Sequence, residues 1–185
     1  NSGQKLSYLP FVIKAVALAL KEHPSLNSEL DLEGERLIYK NYYNIGIAVD
    51  TPDGLVVPVI RDADKLSVLE ISAALAQITE KARERKLSPD DLKDGTFSIT
   101  SFGSIGGYFA VPVINYPQAA ILGIGRINDK PVIKDGAVVP GKVMPISMSV
   151  DHRIVDGGEV ARFLNLVLDY LKDPLYMLIQ QGAAL

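Results

Sequence analysis

Apolar residues recur every three or four positions in three segments of the chain, the spacing that places them on one face of a helix. The segments cover residues 8–22, 67–86 and 157–172. Pro10 suits the first turn of the first helix, and Pro174 follows the last one closely enough to stop it. The pattern therefore predicts three amphipathic helices, spread from the N-terminus to the C-terminus.

Between the predicted helices, apolar residues alternate with polar ones or form short continuous runs, which is typical of strands. Residues 36–50 and 54–62 form two such runs, joined by a turn at Pro52, Asp53 and Gly54. Further strand candidates are GTFSITSFG, QAAILGIGRI, KPVIKDG, AVVPG and KVMPISMSV. Because several strands follow one another without a helix between them, we predict an α/β sandwich with a mixed β-sheet rather than a doubly wound fold.

Composition and charge exclude several classes of protein. The chain has 185 residues, which fits one domain with a sizeable core. A net charge of −3 argues against a general nucleic-acid-binding protein. The sequence has no cysteine, so a disulfide, a thiolate metal site and a cysteine nucleophile are excluded. No apolar run approaches the roughly 18 residues of a membrane-spanning helix, so we expect no membrane partner.

One of the two histidines lies in the stretch SVDHRIVDGGEVARFL, between a predicted strand and a predicted helix. The unperturbed imidazole pKa of about 6.5 makes a neutral base available at working pH. Ile146, Met148 and Val150 share one face of the preceding strand, and His152 would follow them inward if the strand continued. Because such a junction commonly presents a side chain to a cleft, His152 is a candidate base.

The neighbours of His152 also have structural interpretations. Asp156 matches the N-cap of the following helix, with Glu159 reaching back to complete a capping box. Arg153 could be a surface residue, and a lone histidine near a core is more often structural than catalytic. His23, in EHPSLN, is interpreted as part of a helix-ending turn.

Other chemistries fit the sequence less well. Two histidines far apart in a chain without cysteine do not resemble a zinc site. A Ser-His-Asp hydrolase is harder to exclude, although no G-x-S-x-G motif is present. FGSIGG lacks the lysine and the hydroxyl residue of a phosphate-binding loop, and ILGIGRI lacks the third glycine of a dinucleotide site.

The stretch DHRIVDGGEVARFL resembles the DHRxxDG signature of the dihydrolipoamide acyltransferases, the core subunits of the 2-oxo acid dehydrogenase complexes. NIGIAVDTPDGLVVPVIRDAD is similar to the paired central strands of that family. GTFSITSFGSIGGYFAVPVINYPQAAILGIGRI is similar to the segment before its active-site strand, and order and spacing agree from Leu6 to about Leu178. The resemblance implies a chloramphenicol acetyltransferase-like two-layer sandwich, in which helices flank a mixed β-sheet.

The resemblance also implies roles for three residues. His152 matches the catalytic base of the family, and Asp156 matches a position that steadies the active-site loop and is sometimes asparagine. Thr100 aligns with the serine or threonine whose hydroxyl stabilises the oxyanion, and Ser101 is the alternative if the register shifts by one. Alternation along the strand favours Thr100, because a buried Ile99 would leave Thr100 pointing out of that layer.

The implied reaction is transfer of an acyl group between a dihydrolipoyl thiol and coenzyme A, with acetyl and branched-chain groups favoured over succinyl. In the family, the active site is a channel between the subunits of a homotrimer, and trimers assemble into a larger hollow particle. The 2-oxo acid decarboxylase and dihydrolipoamide dehydrogenase subunits are the implied partners. The chemistry needs no metal.

The resemblance implies that residues 1–185 are an acyltransferase catalytic domain that lacks its N-terminal segment. The lipoyl and peripheral-subunit-binding domains are then absent, so the lipoyl group is carried on a domain outside this chain. The expected location is the cytoplasm, or the mitochondrial matrix in a eukaryote.

Two other functions stay open. A different coenzyme A-dependent acyltransferase, such as a chloramphenicol acetyltransferase, shares the histidine and aspartate spacing but lacks the DHRxxDGGE context. A non-catalytic scaffold core would bind partner enzymes without turnover, although the presence of His152, Asp156 and Thr100 argues against it. The apolar residues 176–179, near the C-terminus, fit either a contact with another subunit or packing against their own core.

Overall fold

The computed structural model describes residues 6–182, and all structural statements refer to that range. Its helices are α1 (Leu9–Glu22), α2 (Val68–Arg83), α3 (Gly157–Lys172) and α4 (Pro174–Gly182). Its strands are β1 (Ser28–Asp31), β2 (Arg36–Tyr39), β3 (Ile45–Thr51), β4 (Gly54–Val56), β5 (Val59–Ile60), β6 (Phe97–Ser101), β7 (Ala120–Ile124), β8 (Asn128–Lys134), β9 (Ala137–Val143) and β10 (Ile146–Val150). Short 3₁₀ helices cover Pro24–Asn27, Pro89–Leu92 and Gly103–Ile105.

The main sheet has six strands in the order β10–β7–β6–β3–β4, with β5 also paired to β3. Strand β6 is parallel to both β3 and β7, whereas β10, β4 and β5 are antiparallel to their neighbours. The predicted mixed sheet is therefore confirmed. The hairpins β1–β2 and β8–β9 form two further sheets of two strands each.

One face of the main sheet packs on the helices and forms the core. Ile47, Ile99, Leu122 and Met148 form one row across four strands on this face. Helix α1 lies in the centre of the helical layer and is buried along most of its length. Burying a side chain of this size stabilises the fold by about 1.5–3 kcal/mol, so this row and α1 contribute strongly to the stability of the sandwich.

The opposite face of the sheet is made mostly of small and polar residues. The next row holds Ala48, Thr100, Gly123 and Ser147. A Cβ at Gly123 would lie 2.7 Å from the Ser147 Oγ and 2.9 Å from the Phe102 ring, so this position needs glycine. The segment 102–117 crosses this face of the sheet, and several of its apolar side chains are exposed. These are Ile105, Phe109, Val111, Val113 and Tyr116.

Residues 36–50 form two strands rather than the single strand that the pattern predicts, because they join different sheets: β2 pairs with β1, whereas β3 lies in the main sheet. The buried Asn44 side chain donates a hydrogen bond to the Asp94 carbonyl and accepts one from the Asp62 N–H, both at 2.9 Å. Its backbone carbonyl accepts the Thr96 N–H at 2.8 Å, next to the first β3–β6 pair. The second predicted strand also divides, at Pro58, since proline has no N–H for a ladder.

Pro174 ends the third helix as predicted, but it also begins the short helix α4. Proline fits a first helical position because it has no N–H to satisfy there. The Asp173 carboxylate accepts two backbone N–H bonds of 3.1 Å from the first turn of α4. Met177 packs in the chain's own core, whereas Leu178 and Ile179 are exposed, and their contact with another subunit stays a prediction.

Candidate active site

His152 lies in the turn between β10 and α3, and its side chain is exposed. The strand ends at Val150, so the condition under which His152 would follow the apolar residues inward is not met. Asp151 redirects the chain at this point. Its N–H still donates to the Ala119 carbonyl at 2.8 Å, but its own carbonyl accepts the Ile154 N–H at 2.9 Å and closes a turn. The turn leaves the imidazole facing solvent in a single chain.

The residues on either side of His152 form an ion pair with each other. The Arg153 Nε lies 2.9 Å from Asp151 Oδ1, and its Nη2 bonds the other carboxylate oxygen. This side-chain hydrogen bond is the main reason that the pKa of Asp151 falls below its ordinary value. The two charges largely cancel beside the imidazole, and the pair stiffens the turn that carries it.

Asp156 is the N-cap of α3, as the sequence predicts. Its Oδ1 accepts the backbone N–H of Glu159 at 2.8 Å, and this bond is the main cause of its lowered pKa. The expected return bond from Glu159 is not made. The Glu159 carboxylate instead lies 2.8 Å from the His23 Nδ1 and 2.8 Å from the Arg162 Nη2. His23 is therefore more than a turn residue, because it joins the end of α1 to the start of α3.

Thr100 and Ser101 point to opposite faces of the sheet. Ile99 is fully buried against the helices, so Thr100 lies half-buried on the polar face, as the alternation predicts. Ser101 lies at the helical face, where its Oγ is 3.3 Å from the Tyr8 hydroxyl. The two hydroxyls therefore lie in different surroundings, and one cannot replace the other in a site on the polar face.

Thr100 and His152 of one chain lie far apart. Thr100 is in the same row as Ser147, and β10 then runs away from this row to Asp151, which pairs with Ala119. At about 4.8 Å between strands and 3.3 Å per residue, the Cα atoms of Thr100 and Asp151 are separated by about 16 Å. His152 is the next residue, and the two side chains together reach only about half of that distance, far from the 2.6–3.2 Å of a catalytic hydrogen bond.

Sequence reasoning missed two serines on the face that carries Thr100. The Oγ atoms of Ser147 and Ser149 are buried and have no hydrogen-bond partner within residues 6–182. Buried hydroxyls are normally paired, so these two are exceptions on the polar face. Their signal is the alternation in ISMSV, whose polar positions define the polar face just as its apolar positions define the core face.

Neither a metal cluster nor a membrane-spanning helix is found in the described part of the chain. Residues 6–182 contain no group of three or more histidine, aspartate or glutamate side chains placed to hold a metal ion. No helix in the same range combines the length and the apolar character needed to cross a bilayer.

Comparison with protein families gives the assignment. The model described as 2-oxoacid dehydrogenases acyltransferase (catalytic domain) matches residues 1–179. The chain belongs to this family. A curated relative, the dihydrolipoyllysine-residue acetyltransferase component of the pyruvate dehydrogenase complex from Bacillus subtilis, is 46% identical over 180 residues, which are 97% of this chain and 41% of the relative. The chain thus spans about two-fifths of the length of the curated relatives it matches.

Solved structures of the 2-oxoacid dehydrogenase acyltransferases have the same fold. The Azotobacter vinelandii dihydrolipoamide acetyltransferase is 44% identical with a TM-score of 0.91, over 96% of this chain and 73% of that one. That structure addresses the catalytic role of a serine, a histidine 52 residues later and an asparagine four residues after the histidine. The cubic core of a pyruvate dehydrogenase multienzyme complex is 45% identical with a TM-score of 0.91, over the same shares of each chain.

A chloramphenicol acetyltransferase matches at a TM-score of 0.60 and 18% identity, over 89% of this chain and 78% of that one. At this identity the likeness shows the fold alone. It confirms the predicted two-layer sandwich, with a mixed sheet and flanking helices.

Proposed function

We propose that the chain transfers an acyl group, with acetyl favoured, between a dihydrolipoyl thiol and coenzyme A, as a core subunit of a 2-oxo acid dehydrogenase complex. One observation carries the proposal. Thr100, His152 and Asp156 have the same spacing as the serine, histidine and asparagine whose catalytic role is addressed in the Azotobacter enzyme. Threonine keeps the hydroxyl of serine, and aspartate caps a helix as well as asparagine does.

His152 is the general base of this reaction. It accepts the proton of the attacking thiol as the sulfur adds to the thioester carbonyl carbon, and it returns that proton to the departing sulfur when the second carbon–sulfur bond breaks. Between a free thiol and a free imidazole such a transfer is uphill by about 2.7 kcal/mol. This cost is small enough for general-base catalysis.

Thr100 stabilises the oxyanion that forms on the carbonyl oxygen. Its hydroxyl donates a hydrogen bond that strengthens as charge develops, an effect of about 3 kcal/mol in a site that excludes water. Since His152 and Thr100 of one chain lie far apart, the pair is completed by a neighbouring copy. Asp156 acts on the turn through the helix cap, without touching the reacting atoms.

Assembly into homotrimers, and of trimers into a larger hollow particle, follows from the same proposal. The exposed apolar residues of segment 102–117 lie on the face that carries Thr100, and a single chain leaves them in water. Apolar groups that cluster on one surface favour association. A cubic core is known for a structural relative, which supports this arrangement. The decarboxylase and dihydrolipoamide dehydrogenase subunits of such a complex are the proposed partners.

Residues 1–185 are proposed to act as one catalytic domain. Coenzyme A is a substrate of this domain, and the lipoyl group reaches it on a domain outside these residues. The bacterial origin of the relatives supports a cytoplasmic location.

The test is acylation of dihydrolipoamide by acetyl-, isobutyryl- and succinyl-coenzyme A, with chloramphenicol as an alternative acceptor. We expect transfer from acetyl-coenzyme A to dihydrolipoamide, and none to chloramphenicol. Transfer to chloramphenicol alone would reassign the chain to another acyltransferase. A particle that assembles but transfers no acyl group would favour the non-catalytic scaffold function.

A further inference from the structure

We propose that His23 is a positioning residue for the active-site turn. It acts through Glu159 to fix the start of α3, and thereby the orientation of the turn that carries His152. The inference rests on the proposed function, since it assigns a role to His23 in the same reaction. The residue is 129 positions before His152 in the sequence, and no local pattern connects the two.

The His23 side chain is held firmly on the α1 side. The residue is only 8% exposed. Its N–H donates to the Leu20 carbonyl at the end of α1, and its carbonyl accepts the Leu26 N–H, at 3.3 and 3.0 Å. The imidazole ring packs with its edge against Phe163, with ring centres 5.7 Å apart and planes at 88°. These contacts fix the ring between α1 and α3 even without its hydrogen bond to Glu159.

Glu159 receives the polar contact and transmits it along α3. Its Oε1 lies 2.8 Å from the His23 Nδ1, and this hydrogen bond is the main cause of the lowered pKa of Glu159. The other carboxylate oxygen is held by Arg162 at 2.8 Å. The backbone N–H of the same Glu159 closes the N-cap by donating to Asp156. One residue thus ties the cap of α3 to the end of α1.

The turn before this cap is the segment that presents His152. One end is anchored in the sheet, where the Asp151 N–H donates to the Ala119 carbonyl at 2.8 Å. The other end is Asp156, held by the backbone N–H of Glu159. Since the imidazole is exposed, its direction depends on these two anchors rather than on packing around the ring. Loss of the bond to His23 leaves the cap itself in place but releases Glu159 from α1, so the second anchor is held less firmly.

Two variants of His23 separate positioning from packing. His23→Leu keeps the bulk and removes the donor, whereas His23→Asn keeps a side-chain N–H close to the place of Nδ1. We expect His23→Leu to lower kcat about tenfold, with KM for both substrates nearly unchanged, because misplacement of a reacting group lowers the rate steeply. We expect His23→Asn to recover kcat to within about threefold of the parent.

A double-variant cycle tests whether His23 acts through Glu159. In a Glu159→Ala background, we expect His23→Leu to change kcat by less than about twofold, because the link is already cut. If His23→Leu and Glu159→Ala lower kcat by independent factors that multiply, the proposal is overturned. So would a His23→Leu protein that unfolds at a lower temperature and transfers at the parent kcat. If His23→Leu does not assemble, Glu159→Gln and Glu159→Ala decide instead: Gln retains the acceptor, and equal rates for the two would overturn the proposal.

Ser67→Ala is the matched control. It removes the N-cap of α2, where the Ser67 hydroxyl accepts the Glu70 N–H at 3.2 Å, on a helix that contributes nothing to the proposed site. We expect a lower unfolding temperature with the parent kcat, which shows that loss of a cap alone does not slow transfer. If the unaltered protein transfers no acyl group, the proposed function itself fails, and this result is distinct from every outcome for His23.

Discussion

Two variants that are each nearly inactive are expected to regain activity when they assemble together. Removal of a general base costs about 10²–10⁴-fold in rate, so His152→Ala is expected to fall in this range. Removal of an oxyanion donor costs about 10²–10³-fold, which is the expectation for Thr100→Ala. Each variant keeps the group that the other lacks. Restored activity in a mixed particle would therefore mean that one site draws on two chains.

The size of the recovery follows from the geometry of the sheet. Thr100 and the start of the His152 turn are separated by about 16 Å in one chain, so the proposed site would combine residues from two copies. In trimers formed at random from equal amounts of the two variants, about a quarter of the sites pair an intact Thr100 with an intact His152. We expect the mixed particles to transfer acetyl groups at about a quarter of the parent rate.

The assay is the rate of dihydrolipoamide acetylation by particles purified after coexpression of the two variants with different affinity tags. A second arm coexpresses the parent with the double variant His152→Ala/Thr100→Ala. Shared sites predict about a quarter of the parent rate in this arm too, whereas sites within one chain predict about half. If particles that contain both single variants transfer acetyl groups no faster than particles of either variant alone, the shared site is refuted.

Three further predictions concern single positions. Thr100→Ala should lower kcat far more than Ser101→Ala, because only Thr100 lies on the polar face; the reverse order would move the oxyanion role to Ser101. Asp156→Asn should keep the cap, whereas Asp156→Ala should lower the unfolding temperature by a few degrees; equal unfolding temperatures would contradict the role of the cap. Lys14 is buried and donates to the Asp64 carbonyl at 2.6 Å, and burial lowers its pKa from 10.5 to about 8. Between these pH values the unfolded chain binds more protons than the folded chain, so the free energy of unfolding should rise with pH. Relative to Lys14→Met, the parent should gain no more than about 3 kcal/mol between pH 7 and 10, as measured by urea titration. If this stability difference stays constant or falls as the pH rises, folding does not lower the pKa of Lys14.

Local patterns predict those elements of the fold that local interactions determine. Ser67 and Glu70 form a reciprocal capping box at the start of α2, as their spacing in the sequence suggests. The alternation of Ile45, Ile47 and Val49 identifies the core face of β3. These features depend on residues within a turn or a strand of each other, so periodicity and capping rules identify them.

The parts that the sequence did not predict depend on distant contacts. The direction of His152 was not predicted because Asp151, bonded to Ala119, ends the strand before the histidine. The partner of Glu159 was wrong because a capping box satisfies its carboxylate locally, whereas the folded chain brings His23 to it from 136 residues away. The Glu159 carboxylate can accept a hydrogen bond from the N-cap or from His23, and only the packing of α1 against α3 decides between the two.

The separation of Thr100 from His152 also has a chemical consequence. A thioester exposed to water beside a base is open to hydrolysis, and exclusion of water prevents this side reaction. In a single chain the imidazole is exposed and the hydroxyl is elsewhere, so we expect neither efficient transfer nor rapid hydrolysis. Association over the apolar residues of segment 102–117 would bury the face that carries Thr100 and bring in the imidazole of the neighbour. The residues that drive assembly are therefore expected to complete the site and dry it in the same step, which couples catalysis to the assembled state.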